Sequence, residues 1–428
     1  MAVPNKGCGV SVAKISPSQI KIGYFIQLPV NWMKHPFITN KFKIENYEQI
    51  AIIQTLDLEF VYFFPDKSSI ENHPEHETTP ESTLNANALR SQLEREKNER
   101  IEQAKEQRRQ LQRTEKAFEQ SMVQVRNVMA KIGSRPLQAV EEATELVHQI
   151  ADTIINADSL VLHLISQAGK EQESIYFHVL NVSVLSMMLA KNLGMTAEQV
   201  KLTGLGALFH DIGKLKIPTQ ILRKTEPLSA PEANLLKMHT RYGIELLKLT
   251  ESFPKAAWPV VEQHHEYLDG TGYPLGLKDA DIDAMAKVVA VVNEFDNLCH
   301  PVDISKARSP HHAMSFLFKS MKGKLGAAEM GQLIKMMGVY PPGTIVQLSD
   351  DRVGLVMSVN SDQLLYPNVL VYDSQIPRLE APVISLVEGK LSISKVLKPS
   401  ALPQAVYEYL NPRAQVSYFI QGNERKGG

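Results

Sequence analysis

The chain has 428 residues, enough for two or three domains, with 43% apolar residues and a net charge of −1. That balance excludes the global basic field that gathers nucleic acid, so an anionic ligand has to be held by local charges or metals. Cys8 and Cys299 are too few and too far apart for a disulfide framework, which fits a reducing compartment.

The opening MAVPNKGCGVSVAKI has no apolar stretch of the signal-peptide kind. No apolar run approaches the roughly 20 residues that cross a bilayer. The expectation is a cytoplasmic protein with no membrane and no DNA partner. Residues 14–66 carry short aromatic and β-branched runs, IKIGYFIQLP and IAIIQTLDLEFVYFFP, divided by Pro and Asn. They predict a small N-terminal α+β domain with strands, over 1–75. A polar, Pro-containing linker follows from Asp66 to Leu84.

Residues 85–120 are rich in Glu, Gln, Lys and Arg and lack Pro and Gly, which predicts a charged connector helix within 76–122. Ile101, Ala104, Leu111, Phe118, Met122 and Val125 form a partial heptad that Arg108 and Glu115 interrupt. Two readings stand for it: a homodimer seam, or a single solvated helix. From 123 to 337 apolar residues recur three or four apart, so a compact all-helical domain is expected. After Tyr340-Pro341-Pro342-Gly343 the runs TIVQLSD, RVGLVMSVN and VLVYD predict a small β appendage and a tail over 338–428. The fold class expected is mainly α.

Histidines carry the chemistry. His210 and Asp211 are adjacent in FHDIGKLKIP. Neighbours on a helix point about 100° apart, so the two cannot chelate from one face. They can hold one metal between them while the carboxylate reaches a second. Gly213 lets the chain turn beside them, and Lys214 can meet a phosphate. His239 stands in MHTRYG, and His264, His265 and Glu266 open HHEYLDGTGYP. His178 lies on a strongly helical segment with Asn181 one turn away. A lone histidine is ordinarily a packed or surface residue. Five histidines and an aspartate in one helical domain point to a metal site built from facing helices.

HDIGK followed by HHExxDGxGYP resembles the signature of the HD-GYP domain, a branch of the HD metal-dependent phosphohydrolases. The resemblance covers roughly residues 140–335 and includes IPTQILRK, MHTRYGIELL and AKVVAVVNEFDNL. The segment before it is similar to an uncharacterised domain found ahead of such modules. The resemblance implies a hydrolase, a phosphodiesterase that opens a bacterial 3′,3′-cyclic dinucleotide, 3′,3′-cGAMP or cyclic di-GMP, to a linear dinucleotide in signalling. It implies two divalent metals, iron or manganese, a choice consistent with His and carboxylate donors. Its metal ligands map onto His178, His210, Asp211, His239, His264, His265 and Asn293. Lys214 and Asp211 carry catalysis, with Asp296 orienting the lysine. Lys214, Arg241 and His300 are the substrate-binding candidates. Asp269, Gly270, Gly272, Tyr273 and Pro274 form the GYP loop.

The sequence departs from that pattern at several positions. Asn293 stands where the family has an aspartate ligand; an amide oxygen can coordinate but lacks charge. Ser174 replaces a glutamate that serves a third metal in some members, and Glu173 beside it points elsewhere on a helix. DNLCHPV, with His300, replaces a segment bearing a basic substrate contact. Tyr267 and Lys287 replace arginines, and both read as structural.

Overall fold

The structure is a computed structural model and describes residues 12–30, 34–37, 40–69, 80–156, 160–167, 174–360, 363–374, 376, 378, 381, 383–389, 391–410 and 415–422. Two compact units divide the chain, Met1–Gln107 and Arg108–Gly428.

The first unit holds β1 (Ala13–Ile15), β2 (Phe25–Gln27), β3 (Lys41–Lys43) and β4 (Val61–Phe63), with α1 (Tyr47–Gln54) between β3 and β4. The strands form an antiparallel sheet in the order β1-β4-β2-β3. Asn46 starts α1 by accepting the Gln49 N–H at 2.9 Å. One sheet face and α1 enclose Ile26, Leu28, Ile44, Ile53 and Val61 completely. Leu89 and Leu93, early in α2 (Pro80–Lys131), pack on that core.

The second unit is built on helices: α3 (Pro136–Asn156), α4 (Ser174–Asn192), α5 (Ala197–Phe209), α6 (Thr219–Leu222), α7 (Ala230–Lys237), α8 (His239–Lys248), α9 (Trp258–Gln263), α10 (Ala284–Cys299), α11 (Pro310–Ser320) and α12 (Ala327–Met337). Helix α4 is apolar nearly all round because α3, α5, α10 and α12 all pack against it. Phe118, Met122 and Val125 of α2 are buried in this same core, and the Phe118 ring lies 5.6 Å from Phe177. Those three heptad positions are therefore taken up inside the chain and do not form a dimer seam. The side chains of Ile101, Ala104, Arg108 and Leu111 lie outside the described residues.

The β structure corrects the sequence reading. Strand β5 (Leu160–Gln167) leaves the helical region between α3 and α4. It joins β6 (Ile345–Leu348), β7 (Val353–Asn360), β8 (Asn368–Val371), β9 (Val383–Ser385), β10 (Ile393–Leu397) and β11 (Gln415–Gly422) in one seven-stranded sheet. Its main path runs β10-β6-β7-β5-β11, and β5 pairs with β11 from Leu160↔Gly422 to Gln167↔Gln415. The region 123–337 is thus not purely helical, and the C-terminal sheet is not a free-standing appendage. A last helix, α13 (Gln404–Leu410), packs Val406 and Leu410 into the sheet's core. Cys299 is a buried free thiol, and Cys8 lies outside the described residues.

Candidate metal centre

The candidate ligands sit where helices stop. Helix α5 ends at Phe209, His210 caps it, and Asp211 leaves helical geometry (φ −100°, ψ 5°) to start a 3-10 turn over Ile212–Lys216. That break lets adjacent side chains converge, with His210 Nε2 3.4 Å from Asp211 Oδ2. Gly213 makes it possible. A Cβ there would lie 1.9 Å from the His239 carbonyl oxygen and 2.5 Å from the Gly243 nitrogen, so only glycine lets this turn rest on the start of α8.

His210, His239 and His264 follow the ends of α5, α7 and α9. Each ring donates from Nδ1 to the carbonyl three residues back, in the preceding helix: Ala207 at 2.6 Å, Leu236 at 2.7 Å and Val261 at 3.0 Å. The last carbonyls of a helix lack intrahelical partners, and the rings use them. A carbonyl only accepts, so Nδ1 must carry the proton. Nε2 is then left as a lone pair facing the cavity, the tautomer a metal requires.

Asp211 stands between two sets of these nitrogens. Its Oδ2 lies 3.5 Å from His178 Nε2 and 3.4 Å from His210 Nε2. Its Oδ1 lies 3.4 Å from His239 Nε2 and 3.9 Å from His264 Nε2. Donor atoms of His178, His210 and Asp211 all fall within 4.8 Å of one another, as do those of Asp211, His239, His264 and His265. Asp211 Oδ1 is buried with no hydrogen-bond partner among the described residues, the kind of orphan a cation would satisfy. The cluster can hold a metal.

Its electrostatics suit a cation. Burial, reinforced by neighbouring imidazoles, pushes His264 and His265 well below the usual imidazole pKa, and burial lowers His239 as well. Neutral imidazole is the ligand form. Burial works against the charge on Asp211, but Lys214 and His210 outweigh it and hold the carboxyl well below its ordinary value. His178 differs. Burial opposes its charge, yet hydrogen bonds to Asp211 and Asp296 raise its pKa to about 9 while no cation competes for Nε2.

Asp296 is buried completely and does not orient Lys214, contrary to the sequence expectation. Its Oδ2 accepts from His178 Nδ1 at 2.6 Å, and its Oδ1 accepts from Asn181 at 3.3 Å and from His300 Nδ1 at 3.2 Å. The reason is geometric: this face of α10 meets α4, whose His178 and Asn181 take both carboxylate oxygens. Asp296 fixes the first histidine as the helix-end carbonyls fix the others. His300 is joined to Asp296 and keeps a partly exposed side chain. Asn293 is buried one turn earlier on α10, and its Oδ1 accepts the Asn297 amide at 3.0 Å.

The opposite wall is the GYP loop. His265 stacks on Tyr273 with ring centres 4.6 Å apart, and the Tyr273 N–H donates to the His265 carbonyl at 3.1 Å. Gly270 has φ +79°. Gly272 is pressed onto the chain it follows: a Cβ there would lie 2.3 Å from the Tyr267 nitrogen. Asp269 accepts from the Thr271 N–H at 2.9 Å and hydroxyl at 2.6 Å, and Pro274 follows a cis peptide bond.

Glu266 does what the sequence reading did not assign. It is buried, and its carboxylate accepts the N–H groups of Leu275 (2.6 Å), Gly276 (3.1 Å) and Leu277 (3.0 Å), closing the loop on itself. Tyr267 donates to Glu294 at 2.9 Å, and Lys287 pairs with Asp279 at 2.6 Å, so both arginine replacements have structural partners.

Lys214 is the cation at the centre, 2.5 Å from Asp211 Oδ2 and 36% exposed in its side chain. Arg241 is exposed on α8, two residues past His239. Two helical steps turn about 200°, so Arg241 leaves α8 on the side opposite His239. Glu173 and the Ser174 side chain lie outside the described residues.

Residues 155–327 match the family model described as HD domain, and residues 12–143 match one described as a domain of unknown function, DUF3391. The chain is 30% identical over 247 residues to a cyclic di-GMP phosphodiesterase of Pseudomonas aeruginosa, covering 57% of this chain and 59% of that protein. It is 34% identical over 145 residues to a cyclic di-GMP phosphodiesterase response regulator of Xanthomonas campestris pv. campestris, covering 34% and 38%. A 3′3′-cGAMP-specific phosphodiesterase 1 of Vibrio cholerae is 32% identical over 146 residues, covering 33% and 32%. The chain spans less than two thirds of the length of each of these relatives. An HDG"Y"P protein from Bdellovibrio bacteriovorus aligns over 76% of this chain and 98% of that chain, with 18% identity and a TM-score of 0.42. Among the described residues, no helix is long and apolar enough to cross a membrane.

Proposed function

We propose that the chain is a metal-dependent phosphodiesterase that opens a bacterial 3′,3′-cyclic dinucleotide, 3′,3′-cGAMP or cyclic di-GMP, to a linear dinucleotide. One observation carries the reading: Asp211 presents one oxygen to His178 and His210 and the other to His239 and His264. This is the arrangement of a bridging carboxylate. Two divalent ions, iron or manganese, would suit the donors: His178, His210, Asp211 and the Asn293 amide would hold one, and Asp211, His239, His264 and His265 the other. Such ions supply a nucleophilic water at neutral pH and offset charge on the phosphate.

The chain's own groups do the rest. Asp296 and the helix-end carbonyls hold four imidazoles with Nε2 inward. Lys214, partly exposed beside Asp211, receives a phosphoryl oxygen and offsets charge developing there. The GYP loop, closed by Glu266, sets the Tyr273–His265 wall. A homodimer through the connector helix belongs to this reading, supported by the 52-residue length of α2, and sedimentation equilibrium tests it.

The test is incubation of Mn- or Fe-loaded protein with cyclic di-GMP, 3′,3′-cGAMP and cyclic di-AMP, with products separated by chromatography. A linear dinucleotide supports the reading, and no turnover of any of the three overturns it. A second reading has one specific observation behind it: the Asn293 amide oxygen is engaged by Asn297. A chain that binds the nucleotide but turns it over slowly fits that contact. Gain of turnover in Asn293→Asp distinguishes the two.

A further inference from the structure

The outer face of the N-terminal sheet carries an unexpected surface. Side chains two apart on a strand share a face. Ile15, Ile26, Phe42, Val61 and Phe63 turn inward to the core. The alternate positions form a directly opposed row across all four strands: Lys14, Tyr62, Gln27, Lys41. Beside it, Phe64 bonds to Phe25, and Phe25 opposes Lys43. Phe25, Phe60, Tyr62 and Phe64 are only half-buried and lie outside the domain's core.

A solvent-facing sheet surface is ordinarily polar. Here aromatic rings alternate with ammonium groups. Lys14 Nζ lies 4.1 Å from the Phe60 ring centre and 5.8 Å from Tyr62. Lys41 lies 5.5 Å from Phe64, and Lys67 lies 5.7 Å from Phe25. The rings also meet edge-on, Phe60 with Tyr62 at 5.2 Å and Phe25 with Phe64 at 5.9 Å. Flat rings flanked by cations complement a ligand with a planar base and a phosphate, because base–aromatic stacking tolerates any π face and lysine meets phosphate as a point charge.

We propose that this face binds a free purine nucleotide, the base laid on Tyr62 and the Phe25–Phe64 pair, Gln27 reaching the base edge, and the phosphate met by Lys14. A small nucleotide fits better than a nucleic-acid strand. Residues 12–69 contain six lysines against five carboxylates, too even a balance for the counterion release that holds a polyanion. The row from Lys14 to Lys41 spans three strand spacings, about 14 Å, the scale of one small ligand.

The test uses the full chain with EDTA present, so that the metal centre does not contribute. GMP, AMP and a short oligothymidylate are titrated by calorimetry. The expected result is saturable binding of a purine mononucleotide, with the oligomer no tighter. Tyr62→Ser and Lys14→Glu each weaken binding about tenfold or more while leaving the melting temperature in place. Asp211→Ala leaves it unchanged. Absence of saturable purine binding overturns the proposal. So does binding that Lys14→Glu leaves intact, tighter binding of the oligomer, or loss of binding in Asp211→Ala, which would place the nucleotide in the metal centre instead.

Discussion

Glu266→Ala removes a buried carboxylate that touches none of the candidate ligands' nitrogens, yet it should loosen the wall they stand on. The carboxylate accepts three backbone N–H groups at 2.6, 3.1 and 3.0 Å. Hydrogen bonds to a charged group are worth about 1.5–3 kcal/mol each, so three reach on the order of 5 kcal/mol at the low end. Water recovers part of this, because Leu275 and Gly276 are exposed in the wild-type loop. The net cost worked from the geometry is roughly 2–4 kcal/mol. Glu266→Gln keeps an oxygen for two of the donors but sets an NH2 group against the third, and should cost about half as much. Urea denaturation measures the loss, and amide hydrogen exchange locates it. Protection should fall at Leu275, Gly276 and Leu277 while α4 and α5 stay protected. A cost under about 1 kcal/mol in Glu266→Ala, or unchanged exchange at those three amides, would refute the reasoning.

Other expectations follow from the same contacts. Asn293→Asp adds a charged donor on α10 and should tighten the weaker of two metal-binding steps by about tenfold or more in calorimetry; equal affinities before and after would show that Asn293 is not a ligand. His178→Ala and His239→Ala each empty one side of Asp211, so elemental analysis should find one metal lost per chain in each; loss of all metal in both would mean a single, shared site. Tyr267→Phe leaves Glu294 without its 2.9 Å donor and should cost about 1 kcal/mol in denaturation with little change in metal content. A larger effect on metal than on stability would assign Tyr267 to the centre.

The candidate ligand histidines were legible in the sequence because several fall in short runs: His210-Asp211 and His264-His265 are adjacent, and the helical domain around them is strongly periodic. Four features were not legible. LVLHLISQ, which forms β5, is a short apolar run that periodicity cannot tell from buried helix, and its partner β11 lies some 250 residues later. Asp296 is one turn from Asn293 on α10, but spacing along a helix does not say which neighbour its face meets; α4 and His178 take it, and Lys214 pairs with Asp211 instead. Glu266 bonds nine to eleven residues ahead, a closure that exists only once the Gly270 and Gly272 turns are made. Phe118, Met122 and Val125 left a seam for another chain and a single solvated helix both open, because a heptad looks alike whether its partner is a second copy or the chain's own core.

The most direct measurement is turnover of a cyclic dinucleotide as a function of metal bound per chain, in apo-protein titrated with manganese. A carboxylate bridging two cations requires activity to appear with the second equivalent and Asp211→Ala to show neither tight binding nor product. Full activity at the first equivalent, or a linear dinucleotide from the Asp211→Ala protein, would contradict it.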